Sequence, residues 1–342
     1  MIKRPGDMTG TPDRTGERKI DALSDVLRVA HLTGGVFLHA EFFAPWCMAA
    51  RVAPAHCAPL LNPASDLIPY HYVVEGELHV RVDRKGEEAF LVRPGEVILL
   101  PHNDLHLLGS DLCLPPVMGN DIIQPPRDGG LFSIHYGGDG ARTSMVCGFL
   151  GCDNAERNPV ISTLPAAIKL NADESGAAEW IRSTFQFAAA EVADGRPGSE
   201  TVLAKLSELL FVEAVRRYAD TLPEGQTGWL AGLRDRHVSR ALALMHRDIT
   251  HSWTVDELGR EVGLSRSALA ERFTRLIGEA PMHYLANWRM QVAAQKLRNN
   301  TESLANVAST VGYESEAAFS RAFKKAFGTA PATWRRSKCV TA

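Results

Sequence analysis

Apolar positions change their period twice along the chain, and the changes mark out three expected parts. After Gly34-Gly35, short apolar or alternating runs bounded by Gly, Pro, Asn and Asp predict strands at Val36 to Phe43, Tyr70 to Val74, Leu78 to Val82, Ala89 to Val92, Val97 to Leu100, Leu105 to Leu108, Leu131 to Tyr136 and Ser144 to Leu150. Many short strands with frequent turn signals predict an antiparallel sandwich or barrel over residues 20–163. A short helix at Asp21 to Ala30 precedes it, and residues 1–19 are expected to be disordered. From Leu164 the period becomes helical, giving a helical linker or dimerisation segment over residues 164–226. Its expected helices are Ala177 to Val192 and Thr201 to Tyr218. In the second, Leu206, Leu209 and Val212 lie on different sides, more than a single packed stripe needs, so the helix is either fully internal or shared with a second copy of the chain. Thr221 to Gln226, with Pro223 and Gly225, reads as the linker to residues 227–342.

That last part contains an internal repeat. Ser265, Ala268, Phe273, Gly278, Ala280 and Pro281 recur fifty positions later as Ser315, Ala318, Phe323, Gly328, Ala330 and Pro331. Each copy reads as two helices about a glycine turn, over residues 254–277 and 303–327. In the first, Thr254 with Glu257 forms a capping box, Val255, Leu258 and Val262 share a face, and Gly263 ends the helix. Ser265 opens the next helix, where Leu269, Phe273 and Ile277 turn Arg266, Ser267, Ala270, Glu271 and Arg275 outward. In the second copy Leu304, Val307, Ala308 and Val311 precede Gly312. Ser315 then starts a helix whose Phe319, Phe323 and Phe327 leave Glu316, Ala317, Ser320, Arg321, Lys324 and Lys325 outside. Paired amphipathic helices of this kind predict a tandem helix-turn-helix whose second helices enter DNA major grooves. The connecting segment from Pro281 to Arg298 would be a strut roughly 27 Å long at about 1.5 Å per residue, suited to recognition helices one DNA turn apart.

With Gly263-Leu264-Ser265, Arg272-Phe273, Tyr284-Leu285, Arg289, Val311-Gly312-Tyr313, Arg321-Ala322-Phe323-Lys324, Phe327-Gly328, Pro331 and Trp334-Arg335 in place, the region resembles the DNA-binding domain of the AraC/XylS family of transcriptional regulators. The resemblance implies double-stranded operator DNA as partner, and RNA polymerase as well if the protein activates. One departure is Gly259, where the family usually carries Ala; Gly costs up to about 1 kcal/mol in a helix interior, so a weaker first helix is expected.

In the front part, Gly95, Pro101, Asn103 and His106 fall at the spacing of the second cupin motif, with Asn103 in place of a usual Gly. The segment resembles a cupin jelly roll, the effector-binding domain of many such regulators. The two-His cluster of the first cupin motif is absent, although His71 and His79 lie on flanking strands. His71 and His106 are therefore the expected effector-binding groups. Joined by Cys57 or Cys147 they would suit zinc instead, and Cys47 with Cys147 is a candidate redox pair. His56, His102 and Cys152 complete the set of nearby metal- or oxidant-responsive side chains.

Composition narrows these readings. The chain has 342 residues, 45% of them apolar and 23% charged, as in a globular protein of two domains. No apolar run is long enough to span a membrane and Met1 to Lys19 lacks an apolar core, so neither a span nor a signal peptide is expected, and the six cysteines are expected to be reduced in the cytoplasm. The net charge of -3 hides an asymmetry: residues 236–342 carry 16 Lys and Arg against 9 Asp and Glu, or +7, leaving -10 for the rest. Phosphate attraction is thus concentrated where the repeat lies.

The resulting expectation is an α+β multidomain chain: an N-terminal antiparallel cupin jelly roll, a helical linker or dimerisation segment, and an all-α domain with two helix-turn-helix units. It implies a homodimeric, non-enzymatic regulator of transcription that senses a small effector. A metal- or redox-sensing regulator is the alternative, followed by a cupin enzyme such as a metal dioxygenase or isomerase, for which the tandem repeat has no catalytic use.

Overall fold

A computed structural model of the chain describes residues 22–30, 32–52, 66–125, 132–152, 155–170, 183, 184, 187, 198–299 and 302–339. The expected helix at Ala177 to Val192 lies largely outside these residues, as do His56, Cys57 and the amino-terminal segment.

Helix α1 (Ala22–Val29) leads into the strands β1 (Thr33–Phe43), β2 (Cys47–Ala50), β3 (Asp66–Glu75), β4 (Leu78–Val82), β5 (Phe90–Val92), β6 (Val97–Leu99), β7 (His106–Gly109) and β8 (Val117–Met118). A one-turn helix α2 (Gly119–Ile122) precedes β9 (Ile123–Gln124), β10 (Phe132–Gly137), β11 (Arg142–Cys152) and β12 (Ile168–Leu170). Among the described residues these form two sheets, one ordered β12-β6-β3-β11-β1-β10-β9 and the other β5-β4-β7-β2-β8. Pairing is antiparallel except for β1 with β10 and β2 with β8, which run parallel. The sheet extends beyond residue 163, where the front part was expected to end, because β12 pairs with β6 through Ile168–Leu99 and Leu170–Val97. Asn103 takes φ +51, a left-handed conformation that Asn tolerates better than most residues. Its amide anchors that turn by accepting from the Val52 N–H at 3.1 Å and donating to the Val52 carbonyl at 2.7 Å.

In the larger sheet β3 and β11 are buried on both faces, and period-two alternation sorts their side chains between two cores. On β3, Ile68, Tyr70 and Tyr72 enter an outer core, while Val73 faces the space between the sheets. On β11, Val146, Leu150 and Cys152 point outward, and Met145 and Cys147 inward. The outer core is completed by α1 and by α3 (Ser199–Thr221), whose Leu210, Phe211, Ala214 and Val215 are buried. Tyr70 reaches Ser207 of α3, hydroxyl to hydroxyl, at 2.9 Å.

The same outer core runs on into the helical domain without a break. It takes in Trp229 and Leu230 of α4 (Trp229–Arg234), Val238, Leu242 and Met245 of α5 (Arg236–Arg247), Leu258 and Val262 of α6 (Val255–Val262), and Leu269 and Phe273 of α7 (Arg266–Ile277). Helix α8 (Pro281–Asn299) then carries the chain to the second unit, α9 (Leu304–Thr310) and α10 (Glu316–Phe327), followed by α11 (Pro331–Cys339). That unit packs around a separate core of Ala293, Leu297, Val307, Val311, Phe319 and Phe323.

Caps start the repeated helices at the expected Thr254, Ser265 and Ser315, and at Ser303, which the sequence reading did not single out. Thr254, Ser265, Ser303 and Ser315 each accept a backbone N–H three residues on. Gly259 meets a close approach: a Cβ there would lie 2.8 Å from the Leu264 carbonyl oxygen, which sets a steric contact against the propensity cost of glycine. The turn glycines of the two units differ in surroundings. Gly263 (φ +76) faces open space, whereas a Cβ on Gly312 (φ +78) would lie 2.8 Å from the Arg289 guanidinium and 2.9 Å from the Thr250 carbonyl oxygen. Arg289 fills that gap while donating to the Ile249 and His251 carbonyls, each at 2.8 Å, and so ties the strut and the second unit to the first. Gly263→Ala is expected to cost about 1 kcal/mol from its backbone conformation, and Gly312→Ala clearly more, because the Cβ also displaces Arg289. Urea unfolding of both variants checks this, and equal losses would contradict it.

Candidate effector cavity and DNA interface

A cavity of about 320 Å³ lies between the two sheets. Leu38, Met48, Ile123, Phe132, Ile134 and Phe149 supply apolar walls, and His71, His106 and Cys147 its buried polar groups. Register explains their meeting. His71 of β3 and Cys147 of β11 are direct partners on adjacent antiparallel strands, so both side chains leave the same face. His106 comes from β7 of the opposite sheet, so its contact with His71 bridges the sandwich.

The three side chains form one hydrogen-bonded chain. His106 Nδ1 lies 2.9 Å from the Asp104 carbonyl oxygen, which can only accept, so that nitrogen carries the proton. His106 Nε2, 3.0 Å from His71 Nε2, then accepts from it, and His71 Nδ1 accepts from the Cys147 thiol at 2.9 Å. Burial favours this neutral arrangement: it pushes the His71 pKa well below 6.5, lowers that of His106, and raises that of the Cys147 thiol.

This geometry corrects the metal and redox expectations. His71 directs one ring nitrogen to Cys147 and the other to His106, so the three cannot share one ion without reorienting. Among the described residues no group of three His, Cys, Asp or Glu side chains is arranged to hold a metal; Cys57, the remaining ligand of that expectation, lies outside the described residues. Cys47 belongs to β2 in the other sheet and does not line the cavity; burial, foremost, raises its thiol pKa. It is not a partner for Cys147, whose thiol is held by His71. His102 donates to the Leu164 carbonyl at 2.8 Å, and Cys152 is buried in the outer core.

In the helical domain, the repeat presents one outward face per unit. Arg266, Ser267, Glu271 and Arg275 are exposed on α7, and Glu316, Ala317, Arg321, Lys324 and Lys325 on α10. Ala270 and Ser320 are half-buried at the edges. Ser265 and Ser315 are exposed, but their hydroxyls cap the helices by accepting from the Ala268 and Ala318 N–H groups at 3.2 Å. Arg266, Arg275, Arg321, Lys324 and Lys325 form no ion pair among the described residues, which leaves these charges open to phosphate. Arg272 is different. It is held by Asp235, which caps α5 through the His237 and Val238 N–H groups. Sequence reading found Arg272 but not its partner, 37 residues upstream.

Two further sets of contacts were also missed, one inside the helical domain and one between it and the barrel. His246 is stacked on Trp288 at 4.2 Å and shares a 2.8 Å hydrogen bond with the Tyr284 hydroxyl; burial pulls its pKa down to about 3. Gln291 and Gln295 donate to the carbonyls of Arg157 and Arg28, and the Arg157 guanidinium lies 5.4 Å from the centre of the Phe327 ring.

Comparison with known proteins agrees with both halves. Residues 21–220 match the family model described as Cupin, and residues 258–337 the one described as Helix-turn-helix domain. An AraC-like transcription regulator of Streptomyces lividans is 32% identical over 277 residues, covering 80% of this chain and 88% of that protein. The chain belongs to the AraC family of transcriptional regulators. As an AraC-type regulator it is a DNA-binding protein with a cupin-like front domain. The regulator AlkR of Acinetobacter baylyi is 28% identical, covering 93% of this chain and 99% of its own length. Among solved structures, the C-terminal domain of AraT from Geobacillus stearothermophilus is 28% identical, covering 30% of this chain and 86% of its own, with a TM-score of 0.30.

The buried histidines set a pH dependence. Because His71, His106 and His246 have folded pKa values below 6.5, the unfolded chain binds protons that the folded chain does not as pH falls below that value. Stability is expected to drop from about pH 6.5 downward, by up to about 1.4 kcal/mol per pH unit for each such histidine. Urea unfolding between pH 8 and pH 5 reads this; His71→Gln should flatten the slope, and a parent protein equally stable at pH 7 and pH 5 would contradict it.

Proposed function

We propose that this AraC-type regulator senses a small molecule in the cavity between its sheets and passes the state of that cavity to its DNA-binding units. The observation carrying this is the double burial of β3 and β11. His71 and Cys147 line the cavity on one face, while Tyr70, Tyr72 and Val146 on the other belong to the core that contains Leu269 and Phe273 of α7. A displacement of these strands is therefore felt at the first recognition helix through continuous packing.

On DNA, Arg266, Ser267 and Glu271 of α7 and Glu316, Ala317 and Arg321 of α10 read base edges. Arg275, Lys324 and Lys325 contact phosphates. Ser265 and Ser315 hold the helix starts, with Ala270 and Ser320 flanking the contacts. The protein works in the cytoplasm without catalysing a reaction, and meets RNA polymerase where it activates. It acts as a homodimer through α3: Leu209 is 51% exposed there, while Leu206 and Val212 are partly buried against the chain's own core, so the outward apolar surface is smaller than the sequence implied. Sedimentation giving a monomer at micromolar concentration, with and without DNA, would overturn the dimer.

Gel shifts across an operator library test the assignment. Arg266→Ala is expected to cost about 1 to 3 kcal/mol and relax preference at one or two base pairs, whereas Lys324→Ala should weaken all sequences alike. Uniform loss for Arg266→Ala would contradict its reading role.

A further inference from the structure

The cavity's polar groups are spent on one another. The Cys147 thiol donates to His71, His71 to His106, and His106 to the Asp104 carbonyl, which leaves no ring nitrogen of either histidine without a partner. Arg51 and Asn120 also line the cavity but are exposed, so water satisfies them when it is empty. The remaining walls are Leu38, Met48, Ile134, Phe149 and similar side chains.

A pocket discriminates strongly for a ligand's hydroxyl or carboxylate only when it holds groups that would otherwise stay unpaired. Among the described residues this pocket holds none in its interior. In the interior, away from Arg51 and Asn120, a polar group of a ligand would lose its hydration and find no partner among the described residues without breaking the chain of Cys147, His71 and His106. We infer that the cavity takes an uncharged, hydrocarbon-like molecule of on the order of ten non-hydrogen atoms, at roughly 30 Å³ per water-sized group. This rests on the sensing role proposed above for the same cavity, and it assigns the buried histidines a part unlike the one expected from sequence: they are a closed bridge between sheets, and they select by refusing.

Calorimetric titration of the full chain with n-propylbenzene, 3-phenyl-1-propanol and 3-phenylpropanoate tests the inference. The hydrocarbon should bind at least about tenfold tighter than the alcohol, the carboxylate should not bind measurably, and toluene should be weaker than n-propylbenzene by about three- to fourfold per methylene. Tightest binding of the carboxylate would overturn the inference and assign Arg51 as receptor of a charged head; no binding by any of the four would overturn it too.

Cys147→Ala supplies an internal check. Without the thiol, His71 Nδ1 becomes an unpaired acceptor at the cavity wall, so 3-phenyl-1-propanol should gain several-fold relative to n-propylbenzene. An equal change for both, or none, would contradict the closed chain. Operator affinity measured in the same samples keeps the two readings apart: a hydrocarbon that binds without changing it leaves the ligand class standing and refutes the sensing role.

Discussion

The cavity and the docking of the first DNA-binding unit both depend on a sheet whose strands β3 and β11 are buried on both faces. β3 reads as nearly continuous apolar sequence because both of its faces are buried, and its alternation assigns each side chain to one of two interiors. A one-residue slip would exchange Tyr70 and Tyr72 with His71 and Val73, burying histidine against helix and driving tyrosine into the cavity. That penalty pins the register on which both the cavity and the docking of the helical domain rely.

The two DNA-binding units share a sequence pattern but not an attachment. The first has its core fused to the outer face of the sheet through α1, α3 and α4, while the second has its own core and is joined through α8, Arg289 and the Arg157–Phe327 contact. A change in the barrel thus reaches the first recognition helix through close packing and the second through a strut and a few polar contacts. Interior packing is stiff, so even a small shift in β3 has to be accommodated by what lies behind it.

Much of this was legible in the sequence, for physical reasons that differ by region. The tandem units were legible because caps, turn glycines and apolar spacing are local and occur twice. Most strands were legible because their apolar runs are bounded by turn residues. β2 was not, since Cys47, Met48, Ala49 and Ala50 show no alternation and follow Pro45-Trp46. His71 and His106 were placed at the cavity by alternation and by the cupin spacing, but their bonding to each other was hidden, because it depends on two sheets meeting face to face. Cys47 and Cys147 looked like a pair only while their sheets were unknown. Asp235 with Arg272 and His246 against Trp288 join residues far apart in sequence, and no local pattern announces such pairs.

The central claim is that the barrel and the first DNA-binding unit share one core, and native-state hydrogen exchange on the full chain tests it most directly. Phe211, fully buried in that core, should cost about 3 kcal/mol when truncated to Ala. Under conditions where exchange follows opening equilibria, amides in β11 and in Arg266–Ile277 should then speed up together, by roughly a hundredfold, while those in Glu316–Phe327 change much less. Faster exchange in β11 with Arg266–Ile277 unaffected would contradict the account.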